Sequence, residues 1–440
     1  MTRGGHDDPS GAAAEPLPPS LLPLTAQVGA TGHLHVGGVD LVALAAEVGT
    51  PVFVYDEAHL RARCQEARLA WGDGVAYATK AFLCKAMAAL AHEEGLCLDV
   101  STGGELHVAL SAGVPAERLV LHGNNKSDEE LRVALGAGVA RIVVDSFDEI
   151  DRLERLAPTA SVLPTVLIRV TPGVEAHTHE FVRTGQDDSK FGFGLASGAA
   201  DEAVARLGAL ASAGVLRFAG VHAHIGSQIF LLESFGAEVE ALGGWFAGLG
   251  LDELCVGGGL GVPYVAGEEA PTITEWAATV RAACARFGVP GHVKVTAEPG
   301  RSIVAAAGVT LYTVGTIKTL PGIRTYLSVD GGMSDNPRPV LYGSGYEAFL
   351  PRCPGAPRPM RATVVGKHCE SGDLLVPDAR LPPDTEVGDV LATPVTGAYG
   401  HSMASNYNKV PRPPVVFVGG GRHRVVVRRE TFEDLVRLDD

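Results

Sequence analysis

The chain has 440 residues, of which 46% are hydrophobic, and this composition is typical of a globular protein with a sizeable core. Its formal net charge of −15 disfavours nucleic acid and membrane surfaces as partners, because both carry negative charge, and no run of about 20 apolar residues predicts a membrane-spanning helix. Seven scattered cysteines without a C-x-x-C pair indicate neither a disulfide framework nor a structural zinc site, so we expect a protein of the reducing cytoplasm.

The N-terminal segment is rich in Pro and Ala and lacks the apolar region of a signal peptide. Residues 1–25 are therefore predicted to be a disordered tail. Residues 26–55 carry strand and helix signals, and we expect this segment to join a β domain formed later in the chain.

From about residue 74, short β-rich runs alternate with longer segments of helical period, which is the pattern of parallel strands joined by crossover helices. Eight strands are predicted, within residues 74–80, 95–101, 118–124, 140–146, 165–171, 218–227, 253–258 and 292–300. This arrangement predicts an α/β fold, a (β/α)8 TIM barrel, over residues 56–307. Polar residues fall where the strands end, which is the face that carries the chemistry in such barrels.

After residue 307 the pattern changes to short β runs separated by Pro and Gly, without long helical segments. Residues 308–440 are therefore predicted to form an antiparallel β domain resembling a sandwich or barrel.

Lys80 ends the first predicted barrel strand, in the sequence YATKA. It is either a solvated charge at the rim or an amine held in the barrel mouth. In the second case a partly desolvated lysine can attack a carbonyl group, so the interpretation depends on its neighbours.

Two glycine-bearing loops follow the last two strands, VGGGLG at 256–261 and EPGR at 298–301. Such loops are either tight turns or a phosphate cradle made of closely approaching backbone N–H groups. Their position after strands seven and eight favours the phosphate site, because barrel enzymes commonly bind phosphate there.

The sequence HAHIGSQ places His222 and His224 on one face of a strand. They could form a core pair, bind a metal, or place an imidazole over a flat cofactor ring while Ser227 binds its phosphate. A metal site needs further ligands. Asp145 and Glu298 end strands, but we identify no other histidine at a strand end and predict no metal.

Glu298 ends strand eight. A carboxylate facing a pyridine nitrogen keeps that nitrogen protonated, which makes pyridoxal phosphate a strong electron sink. The alternative is a salt bridge to the adjacent Arg301. Together with Lys80 and the two glycine loops, the cofactor interpretation is the simpler one.

From about residue 30 to the C-terminus, the chain resembles the diaminopimelate decarboxylases, members of the alanine-racemase-like, fold type III pyridoxal-phosphate enzymes. The resemblance is carried by YATKA, LDVSTGGEL, HGNNKS, RVTPGVEAHTHEFVRTGQDDSKFGFGL, HAHIGSQ, GGGLG, AEPGRSIVA, VDGGMSDNPRPVLYG, GKHCESGDLL and GAYGHSMASNYN, in that order.

The resemblance implies the roles of individual residues. Lys80 is the Schiff-base lysine and Cys369 the proton donor. The implied cofactor-binding set is Lys80, His224, Ser227, Gly258, Gly259, Glu298, Pro299, Gly300, Arg301 and Tyr399. The implied substrate-binding set is Arg301, Arg338, Tyr342, Glu370 and Tyr399.

The resemblance also implies the reaction, decarboxylation of meso-2,6-diaminopimelate to L-lysine, the last step of bacterial lysine synthesis. Arginines, a tyrosine and a glutamate suit a substrate with a second carboxylate and a second ammonium group. They therefore disfavour a relative that acts on ornithine, arginine or a carrier-bound or modified amino acid. A racemase is disfavoured by Glu298, a metal-dependent hydrolase by the glycine loops, and a non-catalytic homologue by the presence of Lys80 and Cys369.

In this family the HCESGD loop reaches into the active site of a second subunit. The resemblance therefore implies a homodimer whose active site is shared across the interface.

Overall fold

The computed structural model describes residues 15–174 and 189–440. In these two ranges the chain forms a parallel barrel, a second large sheet and a small three-stranded sheet. No helix in the described part of the chain is long and apolar enough to cross a membrane.

Residues 15–25 differ from the predicted disordered tail, of which residues 1–14 lie outside the described part of the chain. Leu17 and Leu21 are buried in the main hydrophobic core. The Arg358 guanidinium donates a hydrogen bond from Nε to the carbonyl oxygen of Glu15 over 3.1 Å. The prediction is corrected for residues 15–25, because their leucines find apolar partners that a local reading of the Pro-rich sequence does not reveal.

The chain then enters the small sheet and reaches the barrel. The elements are β1 (Gln27–Val28), β2 (Leu34–Val36), β3 (Val39–Asp40), α1 (Leu41–Val48), β4 (Val52–Asp56) and α2 (Glu57–Trp71). Asp56 starts α2, because its carboxylate accepts hydrogen bonds from the backbone N–H groups of Ala58 and His59.

All eight predicted barrel strands are present, which confirms the fold class. They are β5 (Ala76–Ala78), β6 (Cys97–Val100), β7 (Leu119–Leu121), β8 (Arg141–Val144), β9 (Thr165–Thr171) with the short β10 (Phe193–Gly194) beside it, β11 (Arg217–Ala223), β12 (Glu253–Cys255) and β13 (Lys294–Thr296). Two hydrogen bonds close the barrel, from the Ala76 and Ala78 nitrogens to the carbonyl oxygens of Ala297 and Pro299, at 3.0 and 3.1 Å.

Helices connect the barrel strands. They are α3 (Lys85–Glu93), α4 (Gly103–Ser111), α5 (Asp128–Ala137), α6 (Phe147–Leu156), α7 (Ala199–Ser212), α8 (Leu232–Ala247) and α9 (Ile273–Arg286), and α10 (Arg301–Val304) follows the last barrel strand. Two of these helices start at a reciprocal capping box. Ser127 and Glu130 form the one at α5, and Thr272 and Glu275 form the one at α9. These capping residues determine where α5 and α9 begin.

The second large sheet combines β4 with strands that follow the barrel. The later elements are β14 (Gly308–Leu320), β15 (Arg324–Val329), α11 (Arg338–Tyr342), β16 (Met360–Val365), β17 (Leu374–Leu381), β18 (Val390–Pro394), β19 (Val415–Gly419), β20 (Arg422–Val427) and α12 (Phe432–Val436). The strand order is β17-β16-β15-β14-β4-β19-β20, and β18 also pairs with β14.

The prediction of an antiparallel domain is correct for most pairs of this sheet, but two pairs are parallel, β15 with β16 and β4 with β19. Both join strands that are distant in sequence rather than neighbours in a hairpin. Short β runs between Pro and Gly suggest hairpins, so the sequence pattern could not indicate these pairings.

Candidate active site

The barrel interior is built in two layers, and the lower one is apolar. A separate hydrophobic cluster contains one side chain from each of seven strands: Ala76, Cys97, Val120, Val143, Leu167, Ala219 and Cys255. Because side chains alternate along a strand, residues two positions further on point into the barrel again. This places Asp99, His122, Asp145 and Arg169 in a buried polar layer above the apolar one.

His222 on β11 and Glu298, two residues after β13, complete the polar layer. The β9–β11 pairing shifts register between Phe218 and Gly220, so Ala219 and His222 lie three residues apart instead of two. The fold therefore delivers a ring of buried titratable groups to the carboxyl-terminal end of the barrel.

Glu298 is the centre of this layer. Nε2 of His122 lies 2.8 Å from Glu298 Oε1, and Nε2 of His222 lies 3.0 Å from Oε2. Nε2 of His122 is also 3.7 Å from Oδ1 of Asp99. The salt bridge between Glu298 and Arg301, which the sequence left open, is not formed among the described residues.

The charges of this cluster follow from burial and from these contacts. Burial favours neutral groups, but the two histidines outweigh it and hold the pKa of Glu298 well below its ordinary value. Burial likewise opposes a charge on His122, but Asp99 and Glu298 raise its pKa. His222 is different, because burial prevails there and lowers its pKa to about 4. Glu298 is thus a buried carboxylate.

Lys80 lies in a 3-10 turn, Thr79–Ala81, directly after β5. Its neighbours Thr79 and Ala81 are fully buried, and the Thr79 hydroxyl donates to the Asp99 carbonyl oxygen over 2.8 Å. Lys80 itself is exposed into a cleft that Asp99 and Glu298 also line. This supports the barrel-mouth interpretation of Lys80 over a purely solvated rim charge.

The same cleft brings together most of the residues singled out in the sequence. Its lining includes Lys80, His224, Ser227, Gly258, Gly259, Glu298, Gly300, Arg301 and Tyr399. Pro299 connects this set to the barrel wall through its carbonyl oxygen, which accepts the hydrogen bond from Ala78. With Asp99, one cleft therefore collects side chains and loops from six separate stretches of sequence.

His224 presents a neutral imidazole to the cleft. The Gly258 nitrogen donates to its Nδ1 over 3.2 Å. Burial, assisted by the charges of Lys80 and Arg169, lowers the pKa of His224 well below its ordinary value. A neutral ring with Nδ1 already bonded suits contact with a flat ligand better than it suits metal binding.

The glycines at the cleft are required by close backbone approach. A Cβ atom on Gly258 would lie 2.4 Å from the Glu298 carbonyl oxygen, and one on Gly259 would lie 2.4 Å from that of Gly226. Gly259 also has a φ of +115°, which side chains disfavour. The loop therefore offers bare backbone to the cleft, as a phosphate cradle requires.

Arg301 joins the cleft to a second cluster. Its guanidinium donates to Ser227 Oγ over 3.0 Å and to the Tyr264 hydroxyl over 2.6 Å. Arg338 is 4.1 Å from the centroid of the same Tyr264 ring and donates to the Tyr346 hydroxyl over 2.6 Å. The side chains of both buried arginines therefore contact Tyr264, Arg301 at its hydroxyl group and Arg338 at its ring.

Tyr342, which the resemblance places on the substrate, ends α11 and is partly exposed. Tyr346 rather than Tyr342 holds Arg338 in this structure. Tyr264 and Tyr346 were missed in the sequence. Neither lies in a recognisable motif, and their only sequence signal is an aromatic residue near a glycine loop.

Tyr399 lies against Arg301, whose guanidinium carbon is 4.7 Å from the ring centroid. Its backbone has a φ of +59°, and its nitrogen donates to the carbonyl oxygen of Ala81 over 2.8 Å. A non-glycine residue in this conformation is uncommon and is maintained by its surroundings. The turn at Lys80 is thereby tied to the second sheet.

Cys369 and Glu370 lie outside the Lys80 cleft. Both are exposed, and the Cys369 nitrogen donates to Asn408 Oδ1 over 3.0 Å. The loop is anchored by Asp373, whose Oδ2 lies 2.9 Å from His368 Nδ1 and whose Oδ1 accepts from the Met333 nitrogen over 2.6 Å. The described residues of one chain do not bring Cys369 to Lys80.

His122 corrects the sequence analysis, which identified no histidine at a strand end besides those of HAHIGSQ. It directly follows β7 and lies within the predicted strand 118–124. Strand alternation is the signal that could have identified it, because His122 lies two residues after Val120, whose side chain points into the barrel. With His222 and Glu298 it forms a group whose potential ligand atoms lie within 4.8 Å of one another.

A barrel whose cleft holds a lysine, a buried carboxylate and glycine loops is the arrangement of a pyridoxal-dependent decarboxylase, and the family described as "Pyridoxal-dependent decarboxylase, pyridoxal binding domain" matches residues 57–305. The chain is 47% identical to a diaminopimelate decarboxylase of Halalkalibacterium halodurans over 94% of this chain and 97% of that protein. A diaminopimelate decarboxylase of Bacillus subtilis is also 47% identical, over 93% and 95%. The chain belongs to the diaminopimelate decarboxylase family.

A solved structure supports the same assignment. The diaminopimelate decarboxylase of M. jannaschii in complex with L-lysine is 30% identical, with a TM-score of 0.86 over 95% of this chain and 98% of that one.

The cofactor of this family, pyridoxal phosphate, fits the residues of the cleft. Lys80 supplies an accessible amine, and Glu298 supplies a carboxylate that its neighbours keep ionised. The Gly258–Gly259 loop leaves backbone open where side chains would collide with the chain. The amine of Lys80, the carboxylate of Glu298 and the open backbone of the glycine loop therefore match the aldehyde, the pyridine nitrogen and the phosphate of the cofactor, respectively.

Proposed function

We propose that this protein removes one carboxylate of meso-2,6-diaminopimelate as carbon dioxide and releases L-lysine, the last step of bacterial lysine synthesis. The family membership and the lysine bound in the M. jannaschii relative support this substrate and product. Bound pyridoxal phosphate supplies an electron sink for the electron pair that the departing carbon dioxide leaves behind.

The observation that carries the substrate assignment is the pair of arginines beside the cleft. Arg301 and Arg338 are 8% and 4% exposed. Among the described residues neither forms an ion pair with a carboxylate, and their side-chain hydrogen bonds go to hydroxyl groups. Buried charges normally have a counter-ion. Arg301 is also a proposed cofactor-binding residue, but Arg338 is not, and the second carboxylate of diaminopimelate supplies the counter-ion that Arg338 lacks, whereas ornithine has no such group.

The residues of the cleft take the following proposed roles. Lys80 binds the cofactor covalently, and Glu298 faces its pyridine nitrogen. The other proposed cofactor-binding residues are His224, Ser227, Gly258, Gly259, Pro299, Gly300, Arg301 and Tyr399. Arg301, Arg338, Tyr342 and Tyr399 bind substrate, and we add Tyr264 and Tyr346 as the residues that orient the arginines.

Cys369 and Glu370 act in the cleft of a second subunit in this proposal. Cys369 donates the proton that replaces the lost carboxylate, and Glu370 binds the second amino group of the substrate. Two features support a homodimer of this kind: both side chains are exposed, and Asp373 fixes the loop that carries them. Seven unpaired cysteines support the reducing cytoplasm as its location.

The test is lysine release from meso-diaminopimelate by the purified protein with added pyridoxal phosphate. Ornithine, arginine and lysine serve as alternative substrates, and Lys80→Ala serves as the inactive control. Lysine formed by the wild type alone supports the proposal. Carbon dioxide released from ornithine at a comparable kcat/KM, without lysine from diaminopimelate, contradicts it.

A further inference from the structure

Two histidines outside the cleft hold the carboxylate that lies inside it. Glu298 lines the cleft, but His122 and His222 do not. They engage the two oxygens of the carboxylate separately, at 2.8 and 3.0 Å. All three side chains are at least nine-tenths buried.

This arrangement fixes both the orientation and the charge of Glu298. With one donor on each oxygen, the carboxylate plane cannot rotate without breaking a hydrogen bond. The rings of His122 and His222 are 4.9 Å apart in an edge contact, so each also limits the movement of the other.

The other charged groups around the carboxylate are few and on identified elements. Asp99, on β6, faces His122 at 3.7 Å. Arg169, on β9, and Lys80, after β5, add positive charge to the same region, since both influence the titration of this cluster. The balance keeps Glu298 ionised despite its burial.

We propose that His122 and His222 are positioning residues, which hold Glu298 ionised and aimed at the pyridine nitrogen of bound pyridoxal phosphate. The inference rests on the proposed function, because it assigns the histidines to the cofactor chemistry of that site. They contact neither substrate nor cofactor in this proposal and act through Glu298.

The same three residues could instead hold a metal ion, since their ligand atoms are close together. Hydrogen bonding is favoured, because the separations of 2.8 and 3.0 Å are those of direct hydrogen bonds and no further ligand among the described residues joins the group. Metal content is therefore one arm of the test.

The experiment compares His122→Leu with His122→Gln, and His222→Leu with His222→Gln. Glutamine retains a side-chain N–H donor, whereas leucine removes it. His59→Gln is the matched control, because the partly buried His59 ring also forms one hydrogen bond, which it accepts from the Leu24 backbone N–H over 3.1 Å, but lies on α2, away from the cleft. Cofactor affinity, the visible absorbance of the bound cofactor and the pH dependence of kcat are measured for each variant.

We expect the leucine variants to lose about 10–100-fold in kcat, as is typical when a supporting residue of a site is removed. The acidic limb of the kcat profile moves to higher pH, because Glu298 without its donor binds a proton more easily. The pH dependence of the cofactor absorbance moves in the same direction. In the glutamine variants, both the loss of kcat and the shift to higher pH are much smaller than in the leucine variants. His59→Gln resembles the wild type.

A loss of activity without any change in absorbance or in the pH profile would overturn the inference, since a merely structural role gives that result. Stoichiometric metal in the purified wild type, lost in both histidine variants, would overturn it as well. If a leucine variant does not fold, Asp99→Asn and the glutamine variants carry the test. If the wild type binds cofactor with this histidine dependence but makes no lysine, the proposed substrate fails and the inference stands.

Discussion

Replacing Tyr346 with phenylalanine removes one hydroxyl and keeps the ring that packs against Tyr264. The hydroxyl accepts a hydrogen bond from Arg338 over 2.6 Å, the only side-chain hydrogen bond of that guanidinium within the described residues. A hydrogen bond to a charged group contributes about 1.5–3 kcal/mol. At about 1.4 kcal/mol for each factor of ten, kcat/KM for diaminopimelate should fall about 10–100-fold.

The loss should appear mainly in KM, because Arg338 binds the second carboxylate at a distance from the reacting carbon. Initial rates of lysine release over a range of diaminopimelate concentrations measure it. Tyr55→Phe is the matched control, since it removes a buried hydroxyl that donates to the Gly397 carbonyl oxygen over 2.8 Å. Equal KM values in wild type and Tyr346→Phe would refute the assignment of Arg338 to the substrate.

Three further predictions concern assembly and stability. Co-expressed Lys80→Ala and Cys369→Ala chains should regain about a quarter of wild-type activity, because half of the dimers then carry one intact shared site; no recovery would contradict shared sites. Burial raises the pKa of Asp335 to about 7, so the folded state retains a proton that the unfolded chain loses near pH 4. The wild type should therefore lose stability relative to Asp335→Asn as pH rises from about 4 to 7, measured by Tm, and parallel curves would refute this. Lys126 and Glu149 form a buried ion pair at 2.7 Å. Lys126→Met should cost about 3–5 kcal/mol in denaturant unfolding and Lys126→Met with Glu149→Leu much less, whereas an equal cost would contradict the pairing.

The barrel and its chemistry could be predicted because each depends on local signals. The eight strands alternate with helices, and Lys80, His224 and Glu298 each lie within two residues of the end of a strand. Where a barrel strand ends, its side chains must meet those of the other strands. The cleft follows from that rule without any knowledge of long-range contacts.

The parts that sequence analysis missed depend on which distant side chains meet. Tyr264 and Tyr346 are 82 residues apart in sequence, yet their ring centroids are 5.2 Å apart and the ring planes are inclined at 77°. Their hydroxyl groups accept hydrogen bonds from Arg301 and Arg338. His122 has a strand signal but no motif, and only its hydrogen bond to Glu298 shows what it supports. Leu17 and Leu21 are similar, because burial is decided by partners elsewhere in the chain.

The parallel pairing of β4 with β19 sets an order on biosynthesis. Phe53 is opposite Val415 in this pair, 362 residues later in the chain. During translation, the whole barrel is synthesised after β4 and before β19, so it can fold as a unit before β19 is made. The second sheet must wait, because β19, one neighbour of its inner strand β4, is made only after the whole barrel. A nascent chain that does not yet contain β19 therefore exposes one edge of β4, and we expect chaperones to act on that segment.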